Sequence, residues 1–167
     1  MHLVASPDSD RDESISALIG HAQVWQAFLH VLSLIEAKTG TPAPDCWQLP
    51  KRHQGIHAAL RALGHQASAS PTPEADFPRA LPHGWEWGVV YVLDGASHGN
   101  RLLVAHAQRF DIDISGLLAG TSPWPSCCAR LDAELQAAPH LEAAVEAATW
   151  CFRTMHQLIV ARAETAQ

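Results

Sequence analysis

Apolar residues recur at helical spacing along most of this chain. Val24, Trp25, Phe28, Leu29, Leu32 and Ile35 fall on one side of a helix, which predicts an element from about His21 to Lys38 that buries that face and ends at Gly40. Asp12 or Ser14 can cap its start. Residues 1–13, with Asp8, Asp10, Asp12 and Glu13 around Pro7, are expected to form a loosely held polar tail. Thr41 to Pro50 carries three prolines and reads as a loop. Ile56, Leu60 and Leu63 then mark a short helix closed by Gly64, and the proline- and alanine-rich run from Gln66 to Pro82 reads as an irregular surface connector. Near the other end, Trp124-Pro125 leads into a helix expected to be capped by Ser126, with Cys128, Leu131 and Leu135 facing inward. Pro139 sits where a first turn tolerates proline, and Leu141, Val145, Ala148, Phe152, Met155 and Ile159 keep a four-three-four-three-four rhythm over five turns.

Between these elements, Gly84 to Phe110 supports two readings. As a strand, VVYVL enters the turn GASHG, and Gly95-Ala96-Ser97-His98-Gly99 fits a G-x-S-x-G nucleophile elbow with Ser97 as nucleophile. As a helix, the same stretch puts Gly88, Val92, Gly95, Gly99 and Leu103 at steps of four, three, four and four, a stripe nearly bare of side chains. Mid-helix glycines cost roughly 1 kcal/mol each relative to alanine. Keeping both Gly95 and Gly99 therefore implies a kink or the close approach of a neighbouring helix or a flat ligand. No other segment reads as a strand, so the elbow lacks the parallel sheet that a hydrolase needs.

Composition narrows the classes further. The chain has 167 residues with 47% hydrophobic content, enough for one compact domain, assigned to residues 14–165, and too few for two. Its formal net charge of -6, its two lysines, Lys38 and Lys51, and the lack of a basic cluster argue against nucleic acid or an anionic membrane as partner. The N-terminus lacks the apolar core of a signal peptide, so a cytoplasmic location is expected. Cys46, Cys127, Cys128 and Cys151 have no metal-binding spacing and read as reduced, packing residues. His53 and His57 stand four apart on one helix, but no carboxylate or cysteine completes a metal set beside them.

The run YVLDGASHGNRLLVAH resembles the distal helix of bacterial heme oxygenases, and a weaker likeness continues in order from Ile15 to Leu158. The resemblance implies a single all-α helical bundle in which a glycine-bearing helix lies over one face of a heme. It implies oxidative cleavage of heme to biliverdin, iron and carbon monoxide, with electrons from a reductase or ferredoxin. On that reading Gly95 and Gly99 allow the close approach, Ser97 and His98 reach the distal space, and Tyr91, Phe152 and Arg153 contact the cofactor. Arg11, Arg153 and Arg162 are the candidates for its propionates. Two departures stand out. Ala96 occupies the place of a distal aspartate, and the axial histidine would fall within Pro7 to Glu13, where there is none; His2 and His21 are the only stand-ins. The alternative is therefore a non-catalytic relative that binds a tetrapyrrole, another apolar ligand, or none.

Overall fold

The computed structural model describes residues 7–66 and 80–165, and within them the protein is all-helical, with no strand. Six α-helices follow in order: α1 (Pro7–Thr39), α2 (Leu49–Ala62), α3 (Trp85–Gly95), α4 (Ser97–Gln108), α5 (Trp124–Glu134) and α6 (Ala138–Thr165). Single 3-10 turns lie at Asp45–Trp47 and Ser115–Leu118. VVYVL belongs to α3, and Ser97 is the first residue of α4 rather than the tip of a strand-to-helix elbow. The hydrolase reading therefore has no sheet to stand on.

The first helix is the axis of the fold. It spans 33 residues, roughly 50 Å at the helical rise, and starts at Pro7, earlier than the capping residues Asp12 and Ser14 suggest. Proline tolerates that position because the first turn of a helix has no use for its missing N–H. Phe28, Leu29, Val31, Leu32 and Ile35 of α1 are fully buried and join Trp47, Leu60, Trp85, Leu93 and Ile114 in one core. One α1 stretch, Asp10–Thr39, is long and apolar enough to cross a membrane, but 56% of that window is buried inside the fold. Its apolar face is already used by the core. The turn residues behave as their sequence suggests: Gly40 and Gly64 take positive φ (69° and 73°) just past α1 and α2.

Glycine sets the closest contacts. Gly88 of α3 lies against the backbone of Ala144 in α6, and Gly55 of α2 lies against Gly116 in the second 3-10 turn. A Cβ at either place would run into backbone atoms. Because α3 approaches so near, the inner face of α6 consists of small residues, with Ala143, Ala144, Ala147, Cys151 and Thr154 buried. Only Trp150 and Leu158 add bulk there. The large residues of the four-three rhythm are turned outward: Leu141 is 49% exposed, Val145 59%, Phe152 58% and Ile159 53%. The most regular apolar stripe in the sequence is thus not the core stripe of its helix. α5 likewise starts at Trp124 rather than after Ser126 and buries Cys127, while Cys128 is half-buried.

A buried ion pair fixes the junction of α3 and α4. Arg52 of α2 donates from Nη2 to Asp94 Oδ1 (2.5 Å), from Nε to the Trp47 carbonyl (2.8 Å) and from Nη1 to the Leu93 carbonyl (3.4 Å). Both charged residues are over nine-tenths buried. The guanidinium sits at the C-terminal end of α3, where helix dipole and free carbonyls favour a cation. Just beyond it the helix breaks at Ala96 and resumes as α4.

Candidate functional site

The break at Ala96 lets α4 run toward the first half of α1, and a cleft of about 580 Å³ opens between them. Asp10, Glu13, Ser14, Ala17, Leu18 and His21 line it from α1, and Leu103 and His106 from α4. Gly99 precedes Leu103 by one turn on the same helix face, and a Cβ added to Gly99 would meet nothing within 4 Å. Gly99 itself is exposed and is not one of the residues that line the cleft, so its open flank faces solvent.

His21 is the chemically distinctive wall residue. Its Nε2 lies 2.9 Å from Asn100 Oδ1. The buried Asn100 also donates from Nδ2 to the Leu117 carbonyl at 3.1 Å. That second bond assigns the amide: its nitrogen faces Leu117, so its oxygen faces His21 and must accept. The imidazole therefore carries its proton on Nε2, leaving Nδ1 with a lone pair. Burial pushes the His21 pKa below its ordinary value, against the raising effect of the Asn100 bond. Near neutral pH the ring is neutral. A neutral imidazole held from behind by an amide carbonyl is the arrangement used to orient metal-binding histidines.

The other expected site residues divide between two places. Gly95 does not look onto the cleft: a Cβ there would touch the Trp124 indole at 3.6 Å, and that indole packs on Tyr91 with ring centroids 5.8 Å apart. Tyr91 and Phe152 come together in a separate apolar groove of about 340 Å³ between α3, α5 and α6, shared with Trp87, Leu131 and Leu135. Arg153 and His98 are exposed, and Ser97 is fully buried with no hydrogen-bond partner for Oγ. Hence no side chain is placed to activate the Ser97 hydroxyl. His2 lies outside the described residues. Arg11 is exposed, while Arg162 packs over Gly20 and hydrogen-bonds Gln23 on α1.

No metal cluster forms elsewhere. Among the described residues no three His, Cys, Asp or Glu side chains converge on a point that a metal ion could share. His53 and His57 meet edge to face, with His53 bonded to Ser33 Oγ at 3.0 Å. All four cysteines are free. Burial pushes the Cys46 and Cys127 thiols up to about 11 and the Cys151 thiol higher still, so these sulfurs stay protonated and act in packing.

Measured against a heme, the cleft supplies one half of what is needed. The neutral imidazole of His21 fits the iron side. The lining holds two carboxylates and no lysine or arginine, so it offers no cation to propionates.

The chain is 28% identical over 131 residues to a heme oxygenase of Xanthomonas campestris pv. campestris (strain 8004), an alignment covering 70% of this chain and 72% of that protein. No protein-family model matches the chain, and no solved structure matches it significantly. The distant likeness supports a heme oxygenase-like family, and the all-helical architecture is consistent with the fold of that family.

Proposed function

We propose that the chain is a heme oxygenase-like protein that takes a tetrapyrrole into the cleft between α1 and α4, and that binding rather than ring opening is its activity. The observation that carries this reading is the chain of hydrogen bonds Leu117–Asn100–His21, which holds the imidazole of a cleft-lining residue with its proton on Nε2 and leaves Nδ1 as the free lone pair. A heme bound there would supply iron and its redox chemistry. The protein's share is to hold His21 neutral and oriented and to offer Leu18 and Leu103 as apolar walls.

Ring opening receives less support from the distal side. The position after Gly95 is Ala96, which has no polar side chain to order water, and the open flank of Gly95 is filled by Trp124. Ser97 Oγ is sealed in the core and His98 points outward into exposure. The observation that favours the enzymatic alternative is the interruption at Ala96, which divides α3 from α4 between the two glycines, where the resemblance leads one to expect a bend. A reductase or ferredoxin would then be the electron donor. A cytoplasmic setting is supported by the four free thiols.

Hemin titration of the wild type and of His21→Ala tests the proposal. The wild type should bind one hemin with a red-shifted Soret band, His21→Ala should lose that shift with its helical circular dichroism intact, and ascorbate should yield no biliverdin. Biliverdin and carbon monoxide release would establish the enzymatic alternative. A Soret shift that survives His21→Ala and disappears in His2→Ala would move the donor to the N-terminus and overturn the assignment of His21.

A further inference from the structure

The outward stripe of α6 is a helix-pairing surface without a partner inside the fold. Leu141, Val145, Phe152 and Ile159 are each about half exposed or more, while Ala148 and Met155 between them are partly buried against the core and complete the stripe from its edge. Scattered exposed apolar residues need no explanation, but a continuous stripe over five turns does. Spacing that alternates four and three is the pattern of a helix seated along another helix, because it keeps the seam facing the partner. Within the chain α6 meets α3 and α1 through its small-residue face instead.

We propose that this stripe joins two copies of the chain, α6 against α6, antiparallel about a two-fold axis near Trp150. Two independent features select that occupant and that direction. The first is that the spacing is palindromic. Four-three-four-three-four reads the same in both directions, so an antiparallel copy sets Leu141 opposite Ile159, Val145 opposite Met155, and Ala148 opposite Phe152. Each small or medium residue thus meets a large one, and the pairing is self-complementary, as a two-fold interface requires.

The second feature is charge. The exposed acids beside the stripe, Glu142 and Glu146, lie in its first half, and the exposed Arg153 and His156 lie in its second. Antiparallel pairing brings Glu146 of one copy beside Arg153 of the other. Parallel pairing would set like charges together, which weakens association. The alternating spacing is common to helix seams in general, so it is the charge order, acids first and bases second, that fits a reversed copy of the same helix.

The size of the patch bears on strength. The stripe is roughly 27 Å long at the helical rise. One five-turn helix pair buries less than the roughly 1,200 Å² total at the lower edge of stable interfaces. Leu141, Val145, Ala148 and Phe152 also form the α6 wall of the apolar groove, whose opposite wall of Trp87, Tyr91 and Leu135 is within reach of the same partner helix. A patch near that lower edge fits a weak dimer that forms with rising concentration, with a Kd of order micromolar expected.

Sedimentation velocity from about 1 to 200 μM reads the association directly. The wild type should move from monomer to dimer across that range, and Val145→Glu and Phe152→Glu should remain monomeric with unchanged helix content. Glu146→Arg alone should weaken the dimer about tenfold, and the double variant Glu146→Arg/Arg153→Glu should restore it, because the swapped pair re-forms across the axis. A wild type monomeric at every concentration overturns the proposal, as does a dimer that persists in both Val145→Glu and Phe152→Glu. A double variant no tighter than Glu146→Arg alone overturns the antiparallel register.

Discussion

Gly88, Gly95 and Gly99 look alike in sequence but face different surroundings, so replacing each with alanine should give three different results. A Cβ on Gly88 would sit 2.7 Å from Ala147 Cβ and 2.8 Å from the Ala144 carbonyl carbon. Ordinary carbon–carbon contact is about 3.5–4.0 Å, and the Ala144 carbonyl oxygen would be nearer still than these carbons, so α3 and α6 would have to separate by more than about 1 Å. Backbone cannot swing aside as a side chain can, which puts Gly88→Ala at the upper end of the overpacking range, about 3 kcal/mol destabilising. On Gly95 the same Cβ meets only the Trp124 ring edge at 3.6 Å, and on Gly99 it meets nothing. Neither has positive φ. Gly99→Ala should therefore stabilise α4, by up to about 1 kcal/mol from helix propensity, and Gly95→Ala should be neutral to slightly stabilising. Urea unfolding followed by circular dichroism reads all three, and 1 kcal/mol corresponds to about 2–4 °C in Tm at this size. A neutral Gly88→Ala, or a Gly99→Ala that loses more than about 1 kcal/mol in the ligand-free protein, would refute the assignment of Gly88 to helix packing and of Gly99 to open space.

Three further outcomes follow from the same structure. Arg52→Ala or Asp94→Ala leaves an unpaired charge in the core and should cost about 3–5 kcal/mol, measurable by denaturant unfolding; the pair Arg52→Met/Asp94→Leu should cost clearly less than either. Both His21 and His53 have their pKa lowered below 6.5 by burial, so below about pH 6.5 the unfolded chain takes up protons first and stability should fall as the pH drops. His21→Gln should flatten that slope in a series of unfolding curves from about pH 7.5 to 5. Ser97→Ala removes a buried hydroxyl that has no partner, so stability should stay level or rise by up to about 1 kcal/mol; a loss above that would reveal a hydrogen bond to Oγ.

Periodicity made the helices legible and left their orientation open. The spacing of Val24 to Ile35 and the glycines closing α1 and α2 were read from sequence because each is a local rule of helix geometry. The stretch from Pro7 to Glu13, expected as part of a loose polar tail, is helix, because Asp12 and Ser14 are able to cap a helix but nothing local keeps it from running on toward Pro7. The outward turn of α6 could not be read, because amphipathicity says which residues share a face and not which face the fold buries. What decided it was the close approach at Gly88, a contact between residues far apart in the chain. The same holds for the candidate site. The glycine pair marks the place where the helix is interrupted, at the single residue Ala96 between α3 and α4, but Asn100 and Arg52 carry no local signal. Asn100 lies 79 residues from the imidazole it orients, and Arg52 lies 42 residues from its carboxylate.

The account turns on whether the imidazole backed by Asn100 is the group that meets a tetrapyrrole's metal, and a pH-resolved hemin titration of wild type, Asn100→Ala and His21→Ala asks this most directly. The spectral shift should be present in wild type above about pH 6.5 and fade as His21 takes up a proton. It should weaken in Asn100→Ala and vanish in His21→Ala. Identical, pH-independent titrations for all three proteins would contradict it.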